Sequence, residues 1–192
     1  MKKRLSVLVA VFFVLGGLIG PALAEKSKTI KGQNGQAGKS NTAHLYLFEK
    51  DVDWNVVKGG AWGKMKYNLS GPVFEFVFNG HSLVPGEEYQ LLYYPDPWPG
   101  QGLICLGAGI ADENGDVHIK GADPEVPDMP IKGDQNFDDG AKIWLVLITD
   151  VDCSGHEMIG WNPASYLFEW DLIEFENTML EPVFPAAFPV AP

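Results

Sequence analysis

Beyond Arg4 the sequence contains no arginine, and its only cysteines are Cys105 and Cys153. Guanidinium forks and basic stripes are the usual means of gripping nucleic acid, so their lack excludes a nucleic-acid partner. The chain carries 14 Lys and Arg against 25 Asp and Glu, a formal net charge of −11. Lys2, Lys3 and Arg4 are among those basic residues, so everything downstream is more acidic still. Such a surface suits cations, solubility or a salty medium. Long apolar runs are missing after Ala24: the longest is Ile143 to Ile148, far below the roughly 20 residues of a bilayer span. No cysteine follows Ala24 closely, which leaves a lipid anchor there without support. Catalytic signatures are missing too, with no G-x-S-x-G elbow, no H-E-x-x-H pair and no phosphate-cradling glycine loop.

What is present begins with residues 1–24. Three basic side chains precede an apolar run from Leu5 to Ile19, and Ala22-Leu23-Ala24 closes the segment with small residues. That is the layout of a secretory signal peptide, cut before Glu25. The expected location is therefore secreted or cell surface, or periplasmic in a host with an outer membrane. An oxidising compartment and an even cysteine count predict a Cys105–Cys153 disulfide. Closing that loop is worth roughly 3–4 kcal/mol in the chain-entropy model.

Residues 25–42 read EKSKTIKGQNGQAGKSNT, too polar to bury much surface, and are expected to form a flexible leader. Residues 43–176 form the expected folded domain. Residues 177–192 form an apolar tail punctuated by Pro182, Pro185, Pro189 and Pro192, which removes ladder donors. Within the domain, sidedness repeats every second residue. Met65, Tyr67 and Leu69 share one face, as do Phe74, Phe76 and Phe78. Strands are expected at His44–Phe48, Lys64–Leu69, Val73–Phe78, Tyr89–Tyr94, Leu103–Ile110, Val117–Ile119, Ile143–Ile148 and Tyr166–Phe175. Ile143 to Ile148 is apolar on both faces and reads as a central strand. Turn chemistry separates the runs at Ser70-Gly71-Pro72, Val84-Pro85-Gly86, Asn114-Gly115 and Asp138-Asp139-Gly140. With no amphipathic helix, the expectation is all-β: an antiparallel β-sandwich of about eight strands, immunoglobulin-like or similar.

Three constellations carry candidate chemistry. Tyr93-Tyr94-Pro95-Asp96-Pro97-Trp98-Pro99-Gly100 reads as a proline-stiffened loop. Held at low entropic cost, the rings of Tyr93, Tyr94 and Trp98 would stack on carbohydrate or anchor a surface protein. The competing reading folds Trp98 back as a cap on the domain edge. Asp150-x-Asp152-x-Ser154-Gly155 matches the opening of a calcium loop, with Glu157 and the carbonyl of His156 as further oxygen donors. Trp161 stands where the bidentate Glu of that motif belongs. Asp134, Asn136, Asp138 and Asp139 form a second acidic run, and both segments also read as solvated connections. Cys153-x-x-His156-x-Met158, with His81 upstream, has the ligand types of blue copper in a shorter loop, and a disulfide would remove its thiolate. Glu75, Glu169 and Asp171 are the carboxylates for a glycosidase-like pair, against an ordinary solvent-facing role. Asn68-Leu69-Ser70 is a nominal glycosylation sequon.

The stretch Lys64 to Ile119, which includes KMKYNLSGPVFEFVFNGHSLVPGEEYQLLYYPDPWPGQGLICLGAG, resembles a group of uncharacterised secreted domains on archaeal and bacterial extracellular proteins. AKIWLVLITDVDC and GWNPASYLFEWDLI share the resemblance, which thus covers most of the expected domain. It implies an exported all-β module and brings no activity with it. The resulting expectation is a non-enzymatic binding or adhesion module, with calcium as its candidate cofactor and a copper-binding, cupredoxin-like protein as a lesser alternative. The alternative is a structural surface protein that self-assembles by laying residues 180–192 along a neighbour's edge strand.

Overall fold

The computed structural model describes residues 40–179. The expected signal segment, nearly all of the expected polar leader and the tail from Leu180 lie outside the described residues. Twelve strands occur in chain order. They are β1 (Thr42–Phe48), β2 (Trp62–Asn68), β3 (Ser70–Gly71), β4 (Phe74–His81), β5 (Glu88–Tyr94) and β6 (Ile104–Ile110). The rest are β7 (Val117–Asp123), β8 (Lys142–Leu147), β9 (Val151–Asp152), β10 (Glu157–Met158), β11 (Leu167–Glu169) and β12 (Glu176–Asn177). Two short 3-10 turns, Ile148–Asp150 and Pro163–Ser165, complete the inventory, and no described helix is long and apolar enough to cross a membrane.

Eight strands join one antiparallel sheet in the order β6-β5-β8-β11-β1-β2-β4-β7. The expected all-β antiparallel architecture is therefore present, with its two facing layers continuous as one curled, barrel-like sheet. The two edge strands, β6 and β7, close on each other. Their approach needs small residues: a Cβ added to Gly107 or Gly109 would lie 2.9 Å from the side chains of Ile119 or Val117, and one on Gly121 would lie 3.1 Å from the Leu106 carbonyl. The two edges pack against each other without forming a ladder, which covers part of the rims that otherwise promote aggregation.

The two-residue periodicity decides the interior. Leu45 and Leu47, Met65 and Tyr67, Phe74, Phe76 and Phe78, Tyr89, Leu91 and Tyr93, Val117 and Ile119, and Ile143 and Leu145 pack together there. Each large apolar side chain buried this way contributes about 1.5–3 kcal/mol. Asn114-Gly115 makes the expected tight turn, closed by bonds from the Gly115 amide to the Asp112 carbonyl and from the Asp112 amide to the Asp116 carbonyl. It does not make the expected hairpin: the flanking strands β6 and β7 lie at opposite ends of the sheet order and pair with β5 and β4 instead. Gly115 has φ 77°, and a Cβ there would sit 2.4 Å from the Leu83 carbonyl.

One expected strand is shorter than its pattern. Tyr166 to Phe175 yields only β11, after which Trp170 bonds to the Tyr46 carbonyl and isolated bridges tie Ile173 to Ala141 and Phe175 to Met129. Hydrogen-bond partners on three different segments break the run.

A second apolar layer distinguishes this barrel. Leu92, Tyr94, Trp144, Val146 and Phe168 lie on the outer face of β5, β8 and β11, beneath a cover that supplies Val151, Met158 and Tyr166. This explains why β8 is apolar on both faces. A β-bulge at Leu91/Leu92 places Cys105 opposite Leu92. Cys105 thus packs on the outer layer and forms the predicted disulfide with Cys153, Cα atoms 5.8 Å apart.

Candidate functional site

The cover, residues 148–166, positions the candidate site. It is zipped to the loop after β5 by backbone bonds from Met158 to the Pro99 carbonyl and from Gly102 to the His156 carbonyl, both 2.9 Å. His156 Nδ1 bonds to the Leu103 carbonyl as well. Inside the cover, the Asp150 carboxylate is buried and accepts from the Tyr166 hydroxyl at 2.5 Å and from Asn162 Nδ2 at 2.8 Å. Burial and this acidic neighbour push the Tyr166 hydroxyl well above the usual phenol range.

Of the three expected loop aromatics, only Trp98 reaches the surface. Tyr93 and Tyr94 belong to β5 and are buried, which corrects their assignment to a ligand-facing loop. Tyr93 points into the barrel and donates to Asp134 at 2.5 Å while accepting from the Ile131 amide. Tyr94 stacks flat on Trp144, centroids 3.8 Å apart, and burial followed by the nearby Asp96 and Asp134 pushes its hydroxyl up to about 12. Both residues also end the expected strand Tyr89–Tyr94, and that expectation is the one that holds: β5 runs to Tyr94 and is buried on both faces. Gly100 takes φ 75° directly behind this ring, where a Cβ would come within 2.4 Å of Tyr94.

Trp98 is 51% exposed and meets Trp161, 44% exposed, edge to face. Trp161 in turn touches Trp144, Tyr166 and Phe168. A third tryptophan, Trp54, is 55% exposed and packs its edge on Phe168 at 4.9 Å. Trp54 caps the hairpin bridged by Lys50 and Val56 and adopts φ 63°, a left-handed conformation that a bulky side chain rarely takes. Asp51 holds that turn by accepting from the amides of Asp53 and Asn55, and Lys50 Nζ lies 5.6 Å from the Trp54 ring centre. Three partly exposed indoles from three separate segments thus stand over one buried aromatic floor. Trp54 and Trp161 escaped the sequence reading. The signal was there: each lies in a polar turn segment, outside any alternating run.

Polar groups flank the indoles. Asp96, two positions before Trp98, accepts from Lys142 Nζ and from Asn136 Nδ2. Glu169, on β11, is less expected: its Oε2 is shielded from solvent without a hydrogen-bond partner, so the solvent-facing reading does not hold for it. Burial pushes its carboxyl up to about 7, against the opposing pull of its own amide, Lys50, Lys142 and the Trp144 indole. Glu75 is exposed on β4 and Asp171 half-buried in the bend after β11.

The proposed calcium ligands are arranged differently from a cation site. Asp150 is engaged by Tyr166 and Asn162, and Asp152 Oδ1 accepts from the amides of Ser154 and Gly155. Glu157 pairs with Asp152 across the β9–β10 hairpin. In the second acidic run, buried Asp134 accepts from Tyr93 and from the Asp96 and Asn136 amides. Among the described residues, no group of three or more His, Cys, Asp or Glu is placed to hold a metal ion. The copper reading is corrected outright: Cys153 is in a disulfide, and His81 Nδ1 bonds to Asp116. Asn68, the sequon residue, is half-buried and spends its amide on Ser70, Val73 and Glu75 backbone groups.

Comparison with protein-family models, with curated proteins and with solved structures found no match.

Proposed function

We propose that the protein is an exported, non-enzymatic binding module that recognises neutral carbohydrate through Trp98, Trp161 and Trp54. The observation that carries this reading is the group of three half-exposed indoles: Trp161 anchored on Trp144, Tyr166 and Phe168, Trp54 anchored on Phe168, and Trp98 resting on Trp161. Sugar rings offer an apolar C–H face and a rim of hydroxyls. Indole faces already immobilised by packing complement the first without losing much entropy on binding. Asp96, Asn136 and Lys142 provide donors and acceptors for the second. The net charge of −11 and the scarcity of arginine favour neutral glycans over sulfated or uronic ones, which the acidic surface repels. The signal-like residues 1–24 and the formed disulfide support export.

The test is titration of the protein with neutral and with sulfated oligosaccharides by calorimetry. Binding is expected to the neutral set, and Trp98→Ala or Trp161→Ala weakens it at least about tenfold, as loss of a stacked anchor does. Affinity confined to sulfated glycans, or unchanged in both variants, overturns the reading.

A further inference from the structure

The aromatic surface divides at the Lys50–Val56 hairpin. Trp54 lies toward the carbohydrate site, while Val56 lines a separate apolar groove of about 430 Å³ with Tyr46, Phe48 and Trp170. Trp170 is 63% exposed and meets Phe48 edge to face, and Tyr46 stacks on Phe48. Lys64 Nζ lies over the Tyr46 ring at 5.4 Å. None of these rings rests on the indole floor described above, except that Phe48 pairs with Phe168 in the sheet register.

We propose that this groove is the docking site for the proline-rich tail of the same chain, residues Phe188 to Pro192. The described chain stops at Met179, and the residues beyond it read LEPVFPAAFPVAP. Pro182–Pro185 and Pro189–Pro192 are both P-x-x-P spacings, the pattern that favours a polyproline II helix. Grooves lined by Tyr, Trp and Phe are the surfaces that bind such helices, because the rings pack between the proline rings and the helix enters already ordered. Reach is consistent with this. Phe188 lies as many residues beyond Met179 as Met179 lies beyond Trp170. Nine residues of polyproline II at about 3.1 Å each reach roughly 28 Å, and the intervening chain, bent by its bridges at Ile173 and Phe175, covers less than the roughly 30 Å of a fully extended one. Attachment to the same chain further raises the tail's effective concentration at the groove. Docking of this kind uses an outer face rather than a strand edge. β6 and β7, the edges of the large sheet, are packed against each other.

Hydroxyl-radical footprinting of the full chain tests the proposal, with Trp170 and Tyr46 as reporters and Trp54 as the internal reference. In the intact chain their oxidation is expected to be at least about threefold slower than in a Phe188→Ser, Pro189→Gly variant, since a docked state must dominate the population to protect them. Light scattering should give a monomer for both. Equal oxidation in the two chains overturns the proposal, and so does protection that appears only with a tail-dependent dimer, which would assign the groove to a second copy. The variant's melting temperature, expected unchanged, shows that the barrel is intact. Carbohydrate titration of the same variant reads the Trp98 site separately.

Discussion

The Tyr166 hydroxyl donates a 2.5 Å hydrogen bond to the buried carboxylate of Asp150, joining the two ends of the segment that covers the outer face of the barrel. Asn162 shares that carboxylate. The bond sits directly below Trp161, so the same contact that closes the cover also fixes the indole against which Trp98 rests.

A double-mutant cycle with Tyr166→Phe and Asp150→Asn measures this contact. Each single change is expected to cost about 1.5–3 kcal/mol, the range for a hydrogen bond to a charged group, and the pair less than the sum. Urea unfolding monitored by tryptophan fluorescence reads both. Because Asp150 is engaged this way, millimolar calcium is expected to move the melting temperature by less than about 1 °C, a ligand-free result in mass-action terms. An upward shift of several degrees would show that the carboxylate exchanges its protein partners for a cation.

Adjacent aromatics in one short segment should behave oppositely. Trp98→Ala removes a half-exposed ring and is expected to cost less than about 1 kcal/mol, whereas Tyr94→Ala empties a stacked, buried position and should cost about 3–5 kcal/mol. Chemical denaturation of both variants decides it. A large loss for Trp98→Ala would make that ring a cap on the fold rather than a contact surface.

The Cys105–Cys153 bond pins the cover to β6. Mass analysis of the unreduced protein should find it two hydrogens lighter than the reduced chain. The Cys105→Ala, Cys153→Ala variant is expected to lose about 2–4 kcal/mol. Its binding loss should exceed what unfolding alone explains, because the cover carries Trp161 and holds the Trp98 loop in place.

Glu169 predicts a pH dependence of known sign. Its carboxyl has a value of about 7 in the folded protein against an ordinary 4.5. Between those values the unfolded chain releases a proton that the folded chain retains, so this group's contribution to stability falls as pH rises through that window. Above it the penalty is constant, at about 3–4 kcal/mol. Glu169→Gln, neutral throughout, should match the parent near pH 4 and exceed it by that amount at pH 8. Thermal melts of the two proteins across pH 4–8 provide the comparison, and parallel curves would contradict the raised value.

How much of this was legible beforehand depends on the range of the interaction. Period-two sidedness is local, so β1, β2, β4, β5 and β8 could be read from residues such as Met65 and Tyr67, or Phe74, Phe76 and Phe78. The Asn114-Gly115 turn was equally readable, because a positive φ falls on the one residue without a Cβ, but the pairing of its flanking strands with β5 and β4 rather than with each other was not. The cysteine pair followed from an even count and the expected oxidising compartment. Partner choice is not local. That β5 would be buried on both faces, taking Tyr93 and Tyr94 out of solvent, depends on residues 148–166 folding back over it. No spacing within Tyr89–Tyr94 records that cover. The same return of the chain brings Trp161 to Trp98, sets Trp54 over Phe168 and strands the Glu169 oxygen away from water. Sequence alone determined the alternation, the acidity and the covalent staple, since each is a property of neighbours or of totals. Only the tertiary structure decided which rings remain at the surface, because exposure is set by whichever distant segment comes to lie on top.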